Sequence, residues 1–250
     1  MIRTETVFLE SDGERIEGIL CLPEEQKDSY PTVVVAHGFG GNYHFYTGNI
    51  AKKLAENGFA SYAFNFRNPD TRCMLNTTVL TEAKTLSIVL DEIQKIPQVD
   101  SSRLFLLGES QGGFVSAYTA ALRKDVRCLI LFYPAFVLQD DAKRRNPEYR
   151  RPGYVFPETE VIGNNTVSGT YSKAALSFDI FDTIRAYRNP VLIIHGTDDP
   201  VVPLSYSERA AETYENAELK IIKGAGHGFY WGEPFVLSME YTISFLKDRS

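Results

Sequence analysis

Cysteine is scarce in this chain: Cys21, Cys73 and Cys128 are odd in number, widely spaced and form no C-x-x-C pair. That excludes a disulfide framework and a thiolate metal site, and it suits reduced thiols in a cytoplasm. The four histidines have no ligand spacing, so neither zinc nor another metal is expected, and no cofactor is implied. Positive charge is also short. With 26 Lys and Arg against 32 Asp and Glu the net charge is −6, which argues against nucleic acid or an anionic membrane as partner. No uninterrupted apolar stretch approaches the ~20 residues that span a bilayer. Met1-Ile2-Arg3-Thr4-Glu5 does not open a basic segment followed by an apolar one, so the expected location is cytoplasmic. Neither an internal repeat nor a low-complexity tract is present. A length of 250 residues with 44% hydrophobic content supports a substantial core and a single domain, and leaves the oligomeric state open.

What is present centres on Gly108-Glu109-Ser110-Gln111-Gly112-Gly113. It follows the apolar run Leu104-Phe105-Leu106-Leu107 and precedes the helical pattern Phe114 to Leu122. Strand, G-x-S-x-G and helix in that order make the setting in which a serine becomes a nucleophile on a sharp, strained turn. A Cβ at the flanking glycines would collide with backbone as the chain reverses, and the helix N-terminus faces the hydroxyl with its positive end.

Such a serine needs a base, an acid and donors for an oxyanion. Gly224-Ala225-Gly226-His227 follows the strand-like Glu218 to Ile222 and places His227 on a loop beyond a strand end. His195-Gly196-Thr197-Asp198-Asp199-Pro200 follows the apolar run Pro190 to Ile194 and supplies an acidic pair. Ala36-His37-Gly38-Phe39-Gly40-Gly41 follows Thr32 to Val35; its Phe39 amide and that of Gln111 are the candidate oxyanion donors. His37 reads as structural, bonding loop backbone.

Val7 to Glu10 and Arg15 to Leu22, joined through Asp12-Gly13, predict an antiparallel hairpin. From residue 32 strand runs alternate with helical segments: strands at 32–36, 59–65, 103–108, 127–133, 190–195 and 218–223, helices near 45–57, 80–95, 112–122, 205–214 and 234–247. This predicts a mostly parallel sheet covered by helices on both faces, with ligands beyond the carboxyl ends of its strands. The interval from Pro134 to Asn189 is too long for an ordinary connection. It predicts a cap insertion at about 135–185: a charged solvated stretch from Gln139 to Arg151, a small hairpin, and a helix near Lys173 to Tyr187 with Ala174, Phe178, Phe181 and Ile184 at helical spacing.

On these motifs the chain resembles the α/β-hydrolase superfamily over its whole length. More narrowly it resembles the bacterial cinnamoyl and feruloyl esterases, through Gln111 in G-E-S-Q-G-G, Tyr133-Pro134-Ala135, the insertion that follows, H-G-T-D-D-P-V-V-P and G-A-G-H. The resemblance implies Ser110 as nucleophile, His227 as base, Asp199 as the acid, and Phe39 and Gln111 as the oxyanion hole. It also implies cleavage of hydroxycinnamate esters beneath the cap. The family's Asp-Phe-x-Gly-x-Gly turn is replaced here by Phe64-Asn65-Phe66-Arg67-Asn68-Pro69-Asp70.

The function expected is therefore a serine carboxylic-ester hydrolase acting on a small-molecule ester through an acyl-enzyme. The alternatives are a serine peptidase of prolyl oligopeptidase type, or a non-catalytic binding protein on the same fold. Phe136 and Tyr154 in the insertion, and Phe229 and Trp231 after the histidine, are expected to line the substrate pocket.

Overall fold

The computed structural model describes residues 1–11, 13–66 and 73–250. Asp12 of the expected turn, residues 67–70 of the altered Phe64–Asp70 stretch, and the Cys73 thiol lie outside what is described.

Strands β1 (Arg3–Ser11) and β2 (Glu14–Leu22) pair antiparallel, as the hairpin reading requires. The chain then runs through β3 (Tyr30–Ala36), a kinked turn at Tyr43–Thr47, α1 (Gly48–Ala55), β4 (Ala60–Phe64), the two-residue β5 (Cys73–Met74), α2 (Val79–Ile93), β6 (Val99–Glu109), α3 (Ser110–Leu122) and β7 (Val126–Phe132). An insertion follows, with α4 (Leu138–Arg145), β8 (Thr159–Ile162), β9 (Asn165–Ser168), α5 (Thr170–Ala175) and α6 (Ile180–Ile184). The fold closes with β10 (Val191–Gly196), α7 (Leu204–Thr213), β11 (Ala217–Ile222) and α8 (Gly232–Lys247).

Among the described residues eight strands form one sheet in the order β1-β2-β4-β3-β6-β7-β10-β11, parallel from β4 to β11. The unbroken apolar runs are explained by helices on both faces. Along β3, Val34 and Ala36 join one apolar cluster with Leu86 and Leu90 of α2 and Phe114 of α3. Val33 and Val35 join the other, with Ile50 and Leu54 of α1 and Phe245 and Leu246 of α8. Leu104 and Leu106 divide from Phe105 and Leu107 in the same way, because successive strand side chains point to opposite faces.

The insertion holds two surprises. The expected hairpin forms as β8–β9, and β9 also pairs in parallel with β5, giving a second sheet that ties the insertion to the chain after β4. The single helix expected near Lys173 to Tyr187 is instead two short ones. Asp179 caps the second, accepting from the Phe181 and Asp182 amides at 2.8 and 3.2 Å. Gln139 bridges the break, donating to the Ala175 and Phe178 carbonyls and accepting from the Ile180 amide at 3.1 Å. The apolar spacing was correct, but it cannot reveal a side chain from α4 that satisfies the backbone of an interrupted helix.

The charged stretch is not wholly solvated either. Asp140–Lys143 and Asp141–Arg144 are surface pairs, while Arg145 turns inward to the buried Glu160, 3.2 Å away. Among the described residues no helix is long and apolar enough to cross a membrane.

Candidate active site

Ser110 is the first residue of α3, directly after β6, and its φ is +50°. Only one other non-glycine among the described residues, Tyr133 at +36°, has positive φ, and it sits at the end of the neighbouring strand β7. Such backbone costs on the order of 1–3 kcal/mol per residue and persists only where its surroundings enforce it. Here they do: the Ala135 amide donates to the Ser110 carbonyl at 2.9 Å, and the Tyr133 amide to Ile194 at 2.8 Å. Gly112 lets the helix start approach β3; a Cβ there would lie 2.3 Å from the His37 carbonyl oxygen.

The loop after β10 brings Asp199, and the loop after β11 brings His227, to this turn. His227 Nε2 is 3.0 Å from Ser110 Oγ, and His227 Nδ1 is 2.7 Å from Asp199 Oδ2. The Asp199 carboxylate is buried, and its other oxygen accepts from the Val201 and Val202 amides at 2.8 Å each. Burial alone would raise this carboxyl. Hydrogen bonds from His195, His227 and the Val202 amide outweigh burial and hold it well below the usual carboxylate range. Asp198 instead takes the Thr197 hydroxyl at 2.7 Å on the exposed side of the loop.

The β3 loop reaches the serine from the other side. A Cβ on Gly38 would sit 3.1 Å from Ser110 Cβ, which places the Gly38–Phe39 peptide beside the hydroxyl. His37 holds this loop: Nε2 accepts from the Phe66 amide at 3.1 Å, leaving Nδ1–H to donate to the Gly38 carbonyl at 2.7 Å. A serine hydroxyl bonded to a carboxylate-oriented imidazole, next to backbone amides at a helix start, is equipped for nucleophilic attack on a carbonyl.

A family model described as "Serine aminopeptidase, S33" matches residues 27–173, more than half of the chain, and a second described as "alpha/beta hydrolase fold" matches residues 156–234. The chain belongs to the serine aminopeptidase S33 family of α/β-hydrolases. Among solved structures it is similar to Est1E from Butyrivibrio proteoclasticus, with TM-score 0.84, 23% identity and 98% of each chain covered. A second structure of that protein, described as having ferulic acid bound, matches with TM-score 0.84 at 22% identity, covering 97% of this chain and 98% of that one. Among curated proteins, one named as a carbamate hydrolase, RutD, from Caulobacter sp. (strain K31) is 25% identical, covering 79% of this chain and 84% of its own.

In this α/β-hydrolase the four expected pocket residues have different surroundings. Phe136 is 1% exposed and packs on Phe114 and Phe181, and Phe229 is 0% exposed against Phe132 and Tyr133. Both are core rings without a free face, which corrects the expectation that they line the pocket. Tyr154 bonds Asn146 at 2.7 Å and lines a groove of about 380 Å³ on the insertion with Phe156 and Lys173, a groove whose lining includes neither Ser110, Asp199 nor His227. Trp231 is 78% exposed just ahead of α8.

Side-chain contacts also come to the site that the motifs did not mark. The Gln111 side chain is buried, donating to Glu82 of α2 at 2.7 Å and accepting from Tyr171 of α5, whose ring meets Phe39 edge-on at 5.8 Å. His195 is fully buried behind Asp199. Glu109 is buried between Gly38 and Tyr133. One signal was legible: a glutamate directly after Leu104 to Gly108 is a charge at the end of a buried strand.

Proposed function

We propose that this protein is a serine carboxylic-ester hydrolase with Ser110, His227 and Asp199 as its triad. The observation that carries the reading is the continuous hydrogen-bonded line Ser110–His227–Asp199, 3.0 and 2.7 Å, at a serine held at positive φ. His227 removes the hydroxyl proton as Ser110 attacks the ester carbonyl, and Asp199 keeps the imidazole in the required tautomer and stabilises its cation. The Phe39 and Gln111 amides receive the oxyanion. His227 then protonates the departing alcohol, and water repeats the sequence on the acyl-enzyme.

The substrate class proposed is hydroxycinnamate or similar small esters, with the insertion as a cap over the acyl side. Two observations support it. The fold likeness to Est1E spans almost the entire chain, and the Phe39–Tyr171 pair joins the oxyanion loop to α5 in an apolar cluster with Met74 and Val167. The test is kcat/KM on methyl ferulate and methyl p-coumarate against p-nitrophenyl butyrate, p-nitrophenyl palmitate and leucine p-nitroanilide. The cinnamates should exceed palmitate, and Ser110→Ala should lose about a million-fold in turnover while staying folded. Palmitate cleaved faster than either cinnamate would reject the substrate class. The anilide as best substrate would favour a peptidase. A Ser110→Ala protein with a tenth of the original activity would reject the nucleophile.

A further inference from the structure

Glu109 occupies the variable position of G-x-S-x-G, yet its side chain is engaged on both oxygens. It ends β6, is 7% exposed, and makes no capping bond to α3. One carboxylate oxygen accepts the Gly38 amide at 3.3 Å, and the other accepts the Tyr133 hydroxyl at 2.8 Å. Gly38 is joined by one peptide to Phe39, the proposed oxyanion donor. Tyr133 sets its ring edge-on to the His227 imidazole, with centroids 4.7 Å apart. One buried side chain thus reaches both the loop that would bind the oxyanion and the ring that backs the base.

Resting on the serine-hydrolase reading above, we propose that Glu109 is a positioning residue that clamps the Gly38–Phe39 loop with one carboxylate oxygen and, through Tyr133, the His227 imidazole with the other. Both partners donate, so the clamp needs two acceptor oxygens and a carboxylate supplies them. A protonated carboxyl turns one acceptor into a donor and forces Tyr133 to rotate or lose its bond. Among the described residues the titratable groups acting on Glu109 are phenols: Tyr133, Tyr46 from the turn after β3, and Tyr230 from the segment before α8, with His227 beyond the Tyr133 ring. Burial pushes the Glu109 carboxyl up to about 7, against the lowering by the Tyr133 and Gly38 bonds. Acidification from neutrality therefore protonates Glu109 and releases the clamp, a second proton beside the one that His227 must lack to act as a base.

The experiment follows two rates from pH 5 to 9: kcat/KM for p-nitrophenyl acetate, and phosphonylation by a fluorophosphonate. In the latter Ser110 Oγ bonds phosphorus, fluoride leaves and His227 takes the proton. In the unmodified protein the acid limb should fall more steeply than one ionisation allows. Glu109→Gln keeps the shape and removes the ionisation; its limb should have the slope of a single proton, with kcat at pH 8 down about tenfold and KM little changed. Tyr133→Phe deletes a bond that favours the carboxylate, so its limb should move to higher pH; this variant carries the test if Glu109→Gln does not fold. Unchanged rate and slope in Glu109→Gln, or an unmoved limb in Tyr133→Phe, overturns the proposal while a reactive Ser110 keeps the hydrolase reading intact. A Ser110 inert to both reagents overturns the hydrolase reading and the clamp with it.

Discussion

The Asp199 carboxylate accepts the Val201 and Val202 amides on one oxygen, while His227 and His195 crowd the other at 2.7 and 3.2 Å. The carboxylate of its neighbour Asp198 accepts the Thr197 hydroxyl near solvent. Two adjacent carboxylates on a turn point in different directions, so one imidazole can use only one of them. Asp199→Asn should lower ester turnover by about 10⁴, since the amide then favours the wrong imidazole tautomer. Asp198→Asn should stay within a few-fold. Equal losses in the two variants, measured as kcat on p-nitrophenyl acetate, would reverse the assignment. His195 belongs to the same scale. Its Nδ1 meets Ser207 at 2.6 Å and its Nε2 meets the Val202 carbonyl at 2.9 Å, so it braces the Asp199 loop from inside.

At the scale of elements, the start of α3 is a tight joint. Gly112 packs against the end of β3, where a Cβ would be 2.3 Å from the His37 oxygen and 2.5 Å from the Ala36 oxygen. These backbone oxygens cannot rotate away, so α3 must shift relative to the loop after β3. Gly112→Ala should destabilise by about 1–3 kcal/mol and lower kcat by about a hundredfold, as a displacement near 1 Å does. Gly226, beside the candidate base, offers the contrast. Its nearest neighbour to an added Cβ is the Asp198 oxygen at 3.7 Å, and its φ is not in the left-handed region. Gly226→Ala should fold and turn over almost normally. Denaturant melts and kcat of the two variants check this, and a Gly226 variant as impaired as the Gly112 one would contradict it.

For the whole molecule, three buried titratable groups make stability depend on pH between about 4.5 and 8. Burial raises Glu82 from 4.5 to about 8, opposed by its Gln111 bond, and raises Glu109 from 4.5 to about 7. Burial lowers His37 from 6.5 to about 4, opposed by its bond to Gly38. A carboxyl raised on folding binds more protons in the folded chain, so its contribution is lost as pH rises toward the folded value. A histidine lowered on folding contributes above its unfolded value and loses that contribution as pH falls. Between about 4.5 and 6.5 His37 cancels one of the two carboxyls; above 6.5, of these three, the carboxyls act. From pH 6.5 to 8 Glu82 alone should cost about 2 kcal/mol, at 1.36 kcal/mol per unit, or ~5 °C in Tm. Glu82→Gln should flatten that decline. Scanning calorimetry at pH 6.5, 7.2 and 8 decides, and a Tm rising over this range in the unmodified protein would refute it.

Strand order along the chain, the Ser110 turn and the three loops at the carboxyl ends of strands were all determined locally, by apolar runs of strand length and by residues that only particular turns demand. Ser110, Asp199 and His227 could be named from the sequence because each follows a buried strand, and parallel strands deliver all their carboxyl ends to one edge of the sheet. What only the tertiary structure decided are contacts between residues far apart in the chain. Phe136 and Phe229 became core, although an aromatic after a strand can equally face a pocket, because Phe114, Phe181, Phe132 and Tyr133 close around them. The Gln139 bridge, the β5–β9 pairing and the Glu82–Gln111–Tyr171 chain join segments from separate elements, and no spacing rule encodes them. Glu109 shows the same limit: its position was visible as a charge after a buried strand, but its two partners, 71 and 24 residues away, exist only once the sheet brings β3, β6 and β7 side by side.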